Sequence, residues 1–346
     1  MGLGCKNAAG GRISRALRLL VLIVLALVTI EYVYGWIFGA TYIRTYLSAR
    51  LYNITQFTFR DNETQIKNET ATTRPLPGTL CDLTPSGLGP VRVNKTEVEL
   101  ASLENKFPEV GLGGRYTPPN CTPRHKVAII VPYKDREQHL AIFLSHMHPF
   151  LMKQQIAYGI FIVEQAGSKS FNRAKLLNVG FVESQKWESG GYQCFIFHDI
   201  DLLPEDTRNM YSCPEQPRHM SAAIDKFKYK LPYQTIFGGV SALTEEQFKK
   251  VNGFSNRYWG WGGEDDDMYK RLNAMNYKIS RYAMNIAKYV MLDHKKSAPN
   301  PKRQSILKQT DKVFKEDGLS TLEYELIKMV RFQLYTYLVA DIDKES

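Results

Sequence analysis

The run Val127-Ala-Ile-Ile-Val131 is five consecutive apolar residues, mostly β-branched, closed by Pro132. A run of that length and type reads as a strand buried on both faces, which demands layers of structure above and below it. Two more such runs follow, Tyr158-Gly-Ile-Phe-Ile-Val163 and Cys194-Phe-Ile-Phe-His198. Between them, 137–151 carries apolar residues at Leu140, Phe143, Leu144 and Met147, and 171–183 has a similar helical texture. Strand, helix, strand, helix, strand predicts an α/β fold around a parallel sheet, in which ligands gather beyond the carboxyl ends of the strands.

The 346-residue chain is long enough for one large α/β domain with accessory segments. Leu19 to Ile43 forms a 25-residue apolar segment with one charge, Glu31. That length suffices to span a bilayer, and it is too long and too poor in small-residue cleavage sites for a removed signal peptide. Lys6, Arg12, Arg15 and Arg18 precede it, whereas only Arg44 and Arg50 follow closely. The asymmetry predicts a cytosolic tail (1–18), a signal anchor (19–43) and a lumenal remainder, a type II topology. Glu31 is costly at membrane depth and suggests pairing with a polar group of a membrane-protein partner. The Thr/Asn/Gln-rich stretch 44–80 reads as a stem, and 81–124 as an irregular transition at the start of a globular domain (81–346).

Five N-x-[ST] sequons, at Asn53, Asn62, Asn68, Asn94 and Asn120, all lie after the apolar segment, as glycosylation in a secretory lumen requires. Cys5 would be cytosolic; Cys81, Cys121, Cys194 and Cys213 are even in number and suit disulfides, with three pairings open on spacing alone. A net charge of +10 is half concentrated in residues 1–50 and otherwise spread out, without the basic stripe of a nucleic-acid binder.

Three clusters carry chemistry. Asp199 and Asp201 sit two apart just after the third strand, so alternation turns both toward one hard cation or one ribose. Tyr258-Trp-Gly-Trp-Gly-Gly-Glu264-Asp-Asp-Asp267 joins flat aromatic faces and a glycine-hinged loop to four acids, of which one can serve as general base. Four acids in a row also suit the first turn of a helix. Met291-Leu-Asp-His294 precedes a Lys/Ser/Pro loop that would leave the histidine accessible.

Pro132-Tyr-Lys-Asp-Arg-Glu-Gln-His-Leu140, Phe171-Asn-Arg-Ala-Lys-Leu-Leu-Asn-Val-Gly180, Phe237-Gly-Gly-Val-Ser-Ala-Leu243 and the Trp-Gly-Trp-Gly-Gly-Glu-Asp-Asp-Asp block together resemble the β-1,4-galactosyltransferase family, from about Cys81 to Asp341. That family includes β-1,4-N-acetylgalactosaminyltransferases. The resemblance implies a GT-A-type fold with a mixed, mostly parallel central sheet beside the N-terminal transmembrane helix. It implies an inverting, Mn²⁺-dependent transfer in the Golgi from a UDP-sugar donor to a GlcNAc-terminated glycan acceptor.

Residue by residue, it implies Asp201, Met291 and His294 as metal ligands, although a thioether is an odd match for a hard cation. Pro132, Arg136, Phe171, Arg173, Ile236 and Gly239 would surround the donor, with Asp199 facing its ribose and Lys226 its phosphates. Asp265 would be the base, Glu264 would orient the acceptor, and Trp261 would swing with a lid of about 292–307. Gly263, Asp266 and Arg303 complete the implied acceptor site with Trp261, Glu264 and Asp265. Disulfides Cys81–Cys121 and Cys194–Cys213 are also implied.

Two departures bear on specificity. Galactosyltransferases carry Tyr where this chain has Ile236; the smaller residue leaves room for an N-acetyl group, so UDP-GalNAc is the expected donor and UDP-Gal the alternative. Gln304 stands where the family has Phe, which removes an apolar wall from the acceptor pocket. A non-catalytic glycan-binding role would predict loss of Asp201, His294 or Asp265, and all three are present. A metallohydrolase does not need the Trp/Gly lid, and a dinucleotide oxidoreductase would need G-x-G-x-x-G after the first strand.

Overall fold

The computed structural model describes residues 79–295 and 298–343, all within a compact unit running from Pro75 onward. The apolar segment with Glu31, the stem, Cys5 and the sequons at Asn53, Asn62 and Asn68 lie outside the described residues; among the described residues no helix is long and apolar enough to cross a membrane. Asn94 and Asn120 are exposed.

The three predicted strands form, β1 (Lys126–Tyr133) and β2 (Ala157–Gln165) slightly longer than their apolar runs and β3 (Cys194–His198) with the expected bounds. They alternate with helices α2 (Glu137–Lys153) and α3 (Arg173–Lys186). The second helix begins two residues later than its sequence texture suggested, because the Asn172 side chain caps it by accepting from the Lys175 N–H at 2.9 Å. The stretch 81–124, expected to be irregular, holds one helix, α1 (Leu100–Lys106), which buries Leu103. It is tied down by Cys81–Cys121, and Cys194–Cys213 closes the second pair.

Seven strands form the main sheet, in the order β5 (Arg218–His219), β7 (Val240–Thr244), β3, β1, β2, β10 (Thr336–Asp341), β9 (Glu325–Arg331). The expectation of a mixed, mostly parallel central sheet matches the strand directions, five of the seven running the same way, with parallel pairing confined to the centre. Only the centre is parallel: β1 with β2, β1 with β3 and β2 with β10. Both flanks are antiparallel, at β3–β7, β7–β5 and β10–β9. Pro132 is tolerated in a central strand because β3 pairs with β1 only as far as Ile130.

Apolar side chains cover both faces. Val127, Ile129 and Val131 join the core under α2, while Ala128, Ile130, Phe161 and Val163 join the core under α3. Gly180 lets α3 sit close, since a Cβ there would stand 2.9 Å from Val163 Cγ2. Each fully buried large aliphatic or aromatic side chain contributes about 1.5–3 kcal/mol, so this double core dominates the fold's stability. A second, three-stranded sheet, β4 (Leu202–Pro204), β8 (Lys288–Met291) and β6 (Ala223–Ile224), lies beyond the carboxyl end of β3.

Candidate active site

The chain leaves β3 at His198, and the Asp199 N–H donates to Gly239 O at 3.2 Å. A tight turn, with Leu202 N bonded to Asp199 O, delivers Asp201 to the start of β4. β4 pairs antiparallel with β8 at Leu202↔Met291, and Leu292 N donates to Asp201 O at 2.7 Å. This pairing sets Met291 and His294 beside Asp201, whose Oδ2 lies 2.9 Å from His294 Nε2. The carboxylate holds the His294 pKa above its ordinary value. Arg136, just before α2, approaches the other ring nitrogen at 3.3 Å.

Among the described residues no group of three His, Cys, Asp or Glu is placed to hold a metal. Met291, the third ligand the family resemblance implies, sits in β8 opposite Leu202, the residue after Asp201. A spacing of 2.9 Å between Asp201 and His294 is that of two neighbouring donors about 2.1 Å from one octahedral cation, so oxygen and imidazole fit a divalent ion together. The Met291 thioether lies 3.4 Å from Lys226 Nζ, which comes from a short 3-10 turn (Asp225–Phe227) following β6. The Met291 sulfur therefore already faces positive charge.

Arg173, in the first turn of α3, links this corner to the acids of the Gly-rich block. Its Nε lies 2.5 Å from Asp199 Oδ1, its Nη2 donates to Gly239 O at 3.1 Å, and its Nη1 lies 3.8 Å from Glu264 Oε1. Arg173 and Asp199, expected as separate donor contacts, are thus one ion pair here, and the Asp199 Oδ1 is not free for a ribose. Burial still raises the Asp199 pKa to about 6 against the pull of Arg173, with the Asp201 and Asp265 charges adding to the rise. Asp201, His294 and Asp265 accordingly belong to one electrostatic neighbourhood.

The four acids open helix α5 (Glu264–Ala274), which follows the short α4 (Glu245–Lys250), with Gly263 as N-cap, so the plain helix-start reading is also correct. They divide by role. Asp267 turns into the core against Arg271, whereas Glu264, Asp265 and Asp266 stay half-buried at the cleft. Glu264 Oε2 is buried without a hydrogen-bond partner, and burial followed by the Asp265 charge raises its pKa to about 7. Asp265 is raised by burial and then by Asp266. Its Oδ1 accepts from Asp266 N at 3.0 Å, and its Oδ2 would be 2.8 Å from a Cβ on Gly238. Ile236 lies two residues upstream of that glycine and is half-buried.

Gly263 has φ +100°, and a Cβ there would come within 2.7 Å of the Tyr258 ring, so the turn into α5 requires glycine. Trp261 is 61% exposed. Its N–H donates to Ala298 O at 3.0 Å and its C=O accepts from Asn300 N at 2.9 Å, while the Arg303 guanidinium lies 5.3 Å from its ring centroid. Gly260 N is bonded to Phe171 O at 2.8 Å. The Trp loop and the strip 298–303 are zipped together. Phe171, Gly239 and Pro132 lie at the same strand-end rim.

Sequence reasoning missed Lys95, Asp225, Tyr233 and Gly238. Tyr233 OH donates to Asp266 Oδ1 at 3.0 Å, and Lys95 Nζ reaches Met291 O at 3.4 Å. Gly238 was visible within the Phe-Gly-Gly motif, but its closeness to Asp265 depends on chain crossing that no local pattern encodes.

Residues 81–214 match the sequence family described as the N-terminal region of glycosyl transferase group 7, and residues 218–295 match the N-terminal domain of galactosyltransferase. The chain is 46% identical over 267 residues to β-1,4-galactosyltransferase 2 of Cricetulus griseus, covering 76% of this chain and 72% of that protein. It is 46% identical over 290 residues to β-1,4-galactosyltransferase 1 of Bos taurus, covering 82% and 71%. A crystal structure of mutant Drosophila β-1,4-galactosyltransferase 7 in complex with manganese, UDP-Gal and xylobiose superposes with a TM-score of 0.55 at 30% identity, covering 64% of this chain and 95% of that one. The fold is therefore of GT-A type.

Proposed function

Because this chain belongs to the β-1,4-galactosyltransferase family, we propose that it is a manganese-dependent, inverting enzyme that transfers a galactose-type sugar from UDP, in β1,4 linkage, to terminal GlcNAc. The observation that carries this reading is the bridge made by Arg173. One guanidinium joins Asp199, beside the cation trio, to Glu264, beside the candidate base.

Asp265 accepts the proton of the attacking hydroxyl as the acceptor oxygen bonds to the anomeric carbon from the face opposite UDP. Its raised pKa makes it a stronger base than an exposed aspartate. Glu264 offers its unpartnered Oε2 to an acceptor hydroxyl, which a buried, orphaned oxygen favours strongly. The chemistry that manganese held by Asp201, Met291 and His294 supplies is neutralisation of the departing diphosphate. Lys226 adds an ammonium on the same side. Trp261 and the strip 298–303, bonded to one another, close together over the sugars and exclude water.

UDP-Gal is the donor the relatives' names support, and the manganese complex of the Drosophila enzyme contains it. UDP-GalNAc is a second reading favoured by Ile236, whose side chain lacks the bulk and hydroxyl of the family's Tyr. Initial rates of the full-length chain with Mn²⁺, a GlcNAc-terminated acceptor and each donor decide between them. On the second reading, wild type prefers UDP-GalNAc and Ile236→Tyr moves preference toward UDP-Gal. Wild-type preference for UDP-Gal refutes the second reading, and activity with neither donor refutes the first. The same proposal places 1–18 in the cytosol, 19–43 in the Golgi membrane, 44–80 as lumenal stem and 81–346 as the catalytic domain.

A further inference from the structure

β6 is only two residues long, and its pairing with β8 ends at Ile224↔Tyr289. Beyond that point Met291 has a strand neighbour on the β4 side alone. Asp225, the next residue after β6, takes over on the open side. Its Oδ1 accepts from Met291 N at 2.9 Å and from Lys226 N at 2.7 Å. On the same open edge, Lys95 Nζ donates to Met291 O at 3.4 Å and lies 4.0 Å from Asp225 Oδ2. Met291 is gripped through both backbone groups, by residues from two distant parts of the chain.

We infer that Asp225, assisted by Lys95, is a positioning residue that sets the Met291 thioether toward the cation site. The inference rests on the proposed manganese reading above. Asp225 is the stronger half. A carboxylate accepting two backbone N–H groups outweighs a long ion pair whose lysine is 49% exposed. The clamp matters because a thioether binds a hard cation weakly, so its contribution depends on being held in place beforehand. Lys95 is also the middle residue of the sequon Asn94-Lys95-Thr96, so its substitution leaves the sequon intact.

Mn²⁺ binding to the purified full-length chain, followed by electron paramagnetic resonance of the free ion, tests this without reference to turnover. Asp225→Ala is expected to weaken Mn²⁺ about tenfold, the lower end for removing a residue that orients a metal ligand. Asp225→Asn, which keeps an acceptor oxygen but not the charge, should recover most of that loss, and Lys95→Ala should cost about two- to threefold. In a Met291→Ala background, Asp225→Ala and Lys95→Ala should each change affinity less than about twofold, since their effect runs through that side chain. Equal losses for Asn and Ala, or undiminished losses in the Met291→Ala background, would mean that Asp225 acts as a bare charge and would overturn the clamp. Should Asp225→Ala fail to fold, Asp225→Asn and Lys95→Ala in both backgrounds separate the two cases equally well. Wild-type protein that binds no Mn²⁺ would instead refute the proposed function.

Discussion

Gly238→Ala isolates the geometry of the proposed base from its chemistry. Gly238 does not sit in the left-handed region, so its backbone accepts alanine, and the substitution adds one methyl group. That methyl would stand 2.8 Å from Asp265 Oδ2 and 3.4 Å from Asp265 Cγ. Relief requires the carboxylate to retreat by about half an ångström or more, since favourable heavy-atom separations begin near 3.5 Å. Asp265 cannot yield freely, because its Oδ1 is bonded to Asp266 N. Misplacement of a reacting group by about 1 Å costs on the order of 100-fold in rate, so kcat should fall about 30- to 100-fold, or roughly 2–3 kcal/mol of transition-state stabilisation. Donor KM should move less than about threefold, because Arg173, Lys226 and the cation trio are untouched. Thermal stability should change by about 1 kcal/mol or less, an off-rotamer carboxylate being partly offset by a stiffer unfolded chain. Steady-state assays with donor and acceptor varied separately read the two kinetic quantities, and a thermal melt reads the third. In the double variant with Asp265→Asn, the glycine substitution should cost nothing further. A kcat within about twofold of wild type would show that the Asp265 position does not govern the chemistry.

The other expectations are as specific. Asp265→Asn should reduce transfer about 10²- to 10⁴-fold, the range for losing a general base, while UDP binding by calorimetry stays unchanged; loss of UDP binding as well would overturn the base assignment. Glu264 has a folded-state pKa raised to about 7, above its ordinary value, so the stability from its neutral form is present below pH 4.5 and lost as pH rises through 7. Glu264→Gln should therefore raise Tm at pH 8 and leave it unchanged near pH 4, and an equal shift at both pH values would contradict the burial argument. Arg271 is wholly buried, with Nε 2.5 Å from Asp267 Oδ1 and Nη1 2.6 Å from Asp317 O. Arg271→Met leaves the buried Asp267 and Asp317 carboxylates without their cation and should cost about 3–5 kcal/mol in urea unfolding; a loss below about 1 kcal/mol would refute the buried-pair reading.

The central strands were legible because a strand covered on both faces must be apolar throughout, and Val127–Val131 and Tyr158–Val163 meet that demand locally. The flanking strands were not. β5 and β6 are two residues each, and their pairing is fixed by contacts far along the chain rather than by any run of their own. The acids after β3 and after the glycine loop stood out as unusual local company, but the particular roles of Asp201, His294, Glu264 and Asp265 came from the family resemblance rather than from that pattern. The Arg173–Asp199 pair could not be foreseen, since each residue alone is equally suited to a ligand. Lys95 was invisible for the same reason. It lies in a stretch with no pattern, and its proximity to Met291 comes from the segment 90–95 running along the three-stranded sheet past Glu205.

The distribution of charge explains why one residue, Arg173, connects so much. Asp199, Asp201, Glu264, Asp265 and Asp266 converge on a partly dry cleft, where two like charges about 4 Å apart repel by roughly 4 kcal/mol at an effective dielectric of 20. One guanidinium neutralises Asp199 and partly Glu264, and His294 takes Asp201. Burial first, and then the remaining excess of like charge, raises the pKa values of Asp199, Glu264 and Asp265. A site selected for stability alone would replace one of these acids. Retaining them leaves an excess of negative charge about Asp199, Glu264 and Asp265, with Asp265 the more ready to take a proton. On the proposed function, a divalent cation beside Asp201 and an acceptor hydroxyl beside Asp265 are the two species that would meet this excess of negative charge.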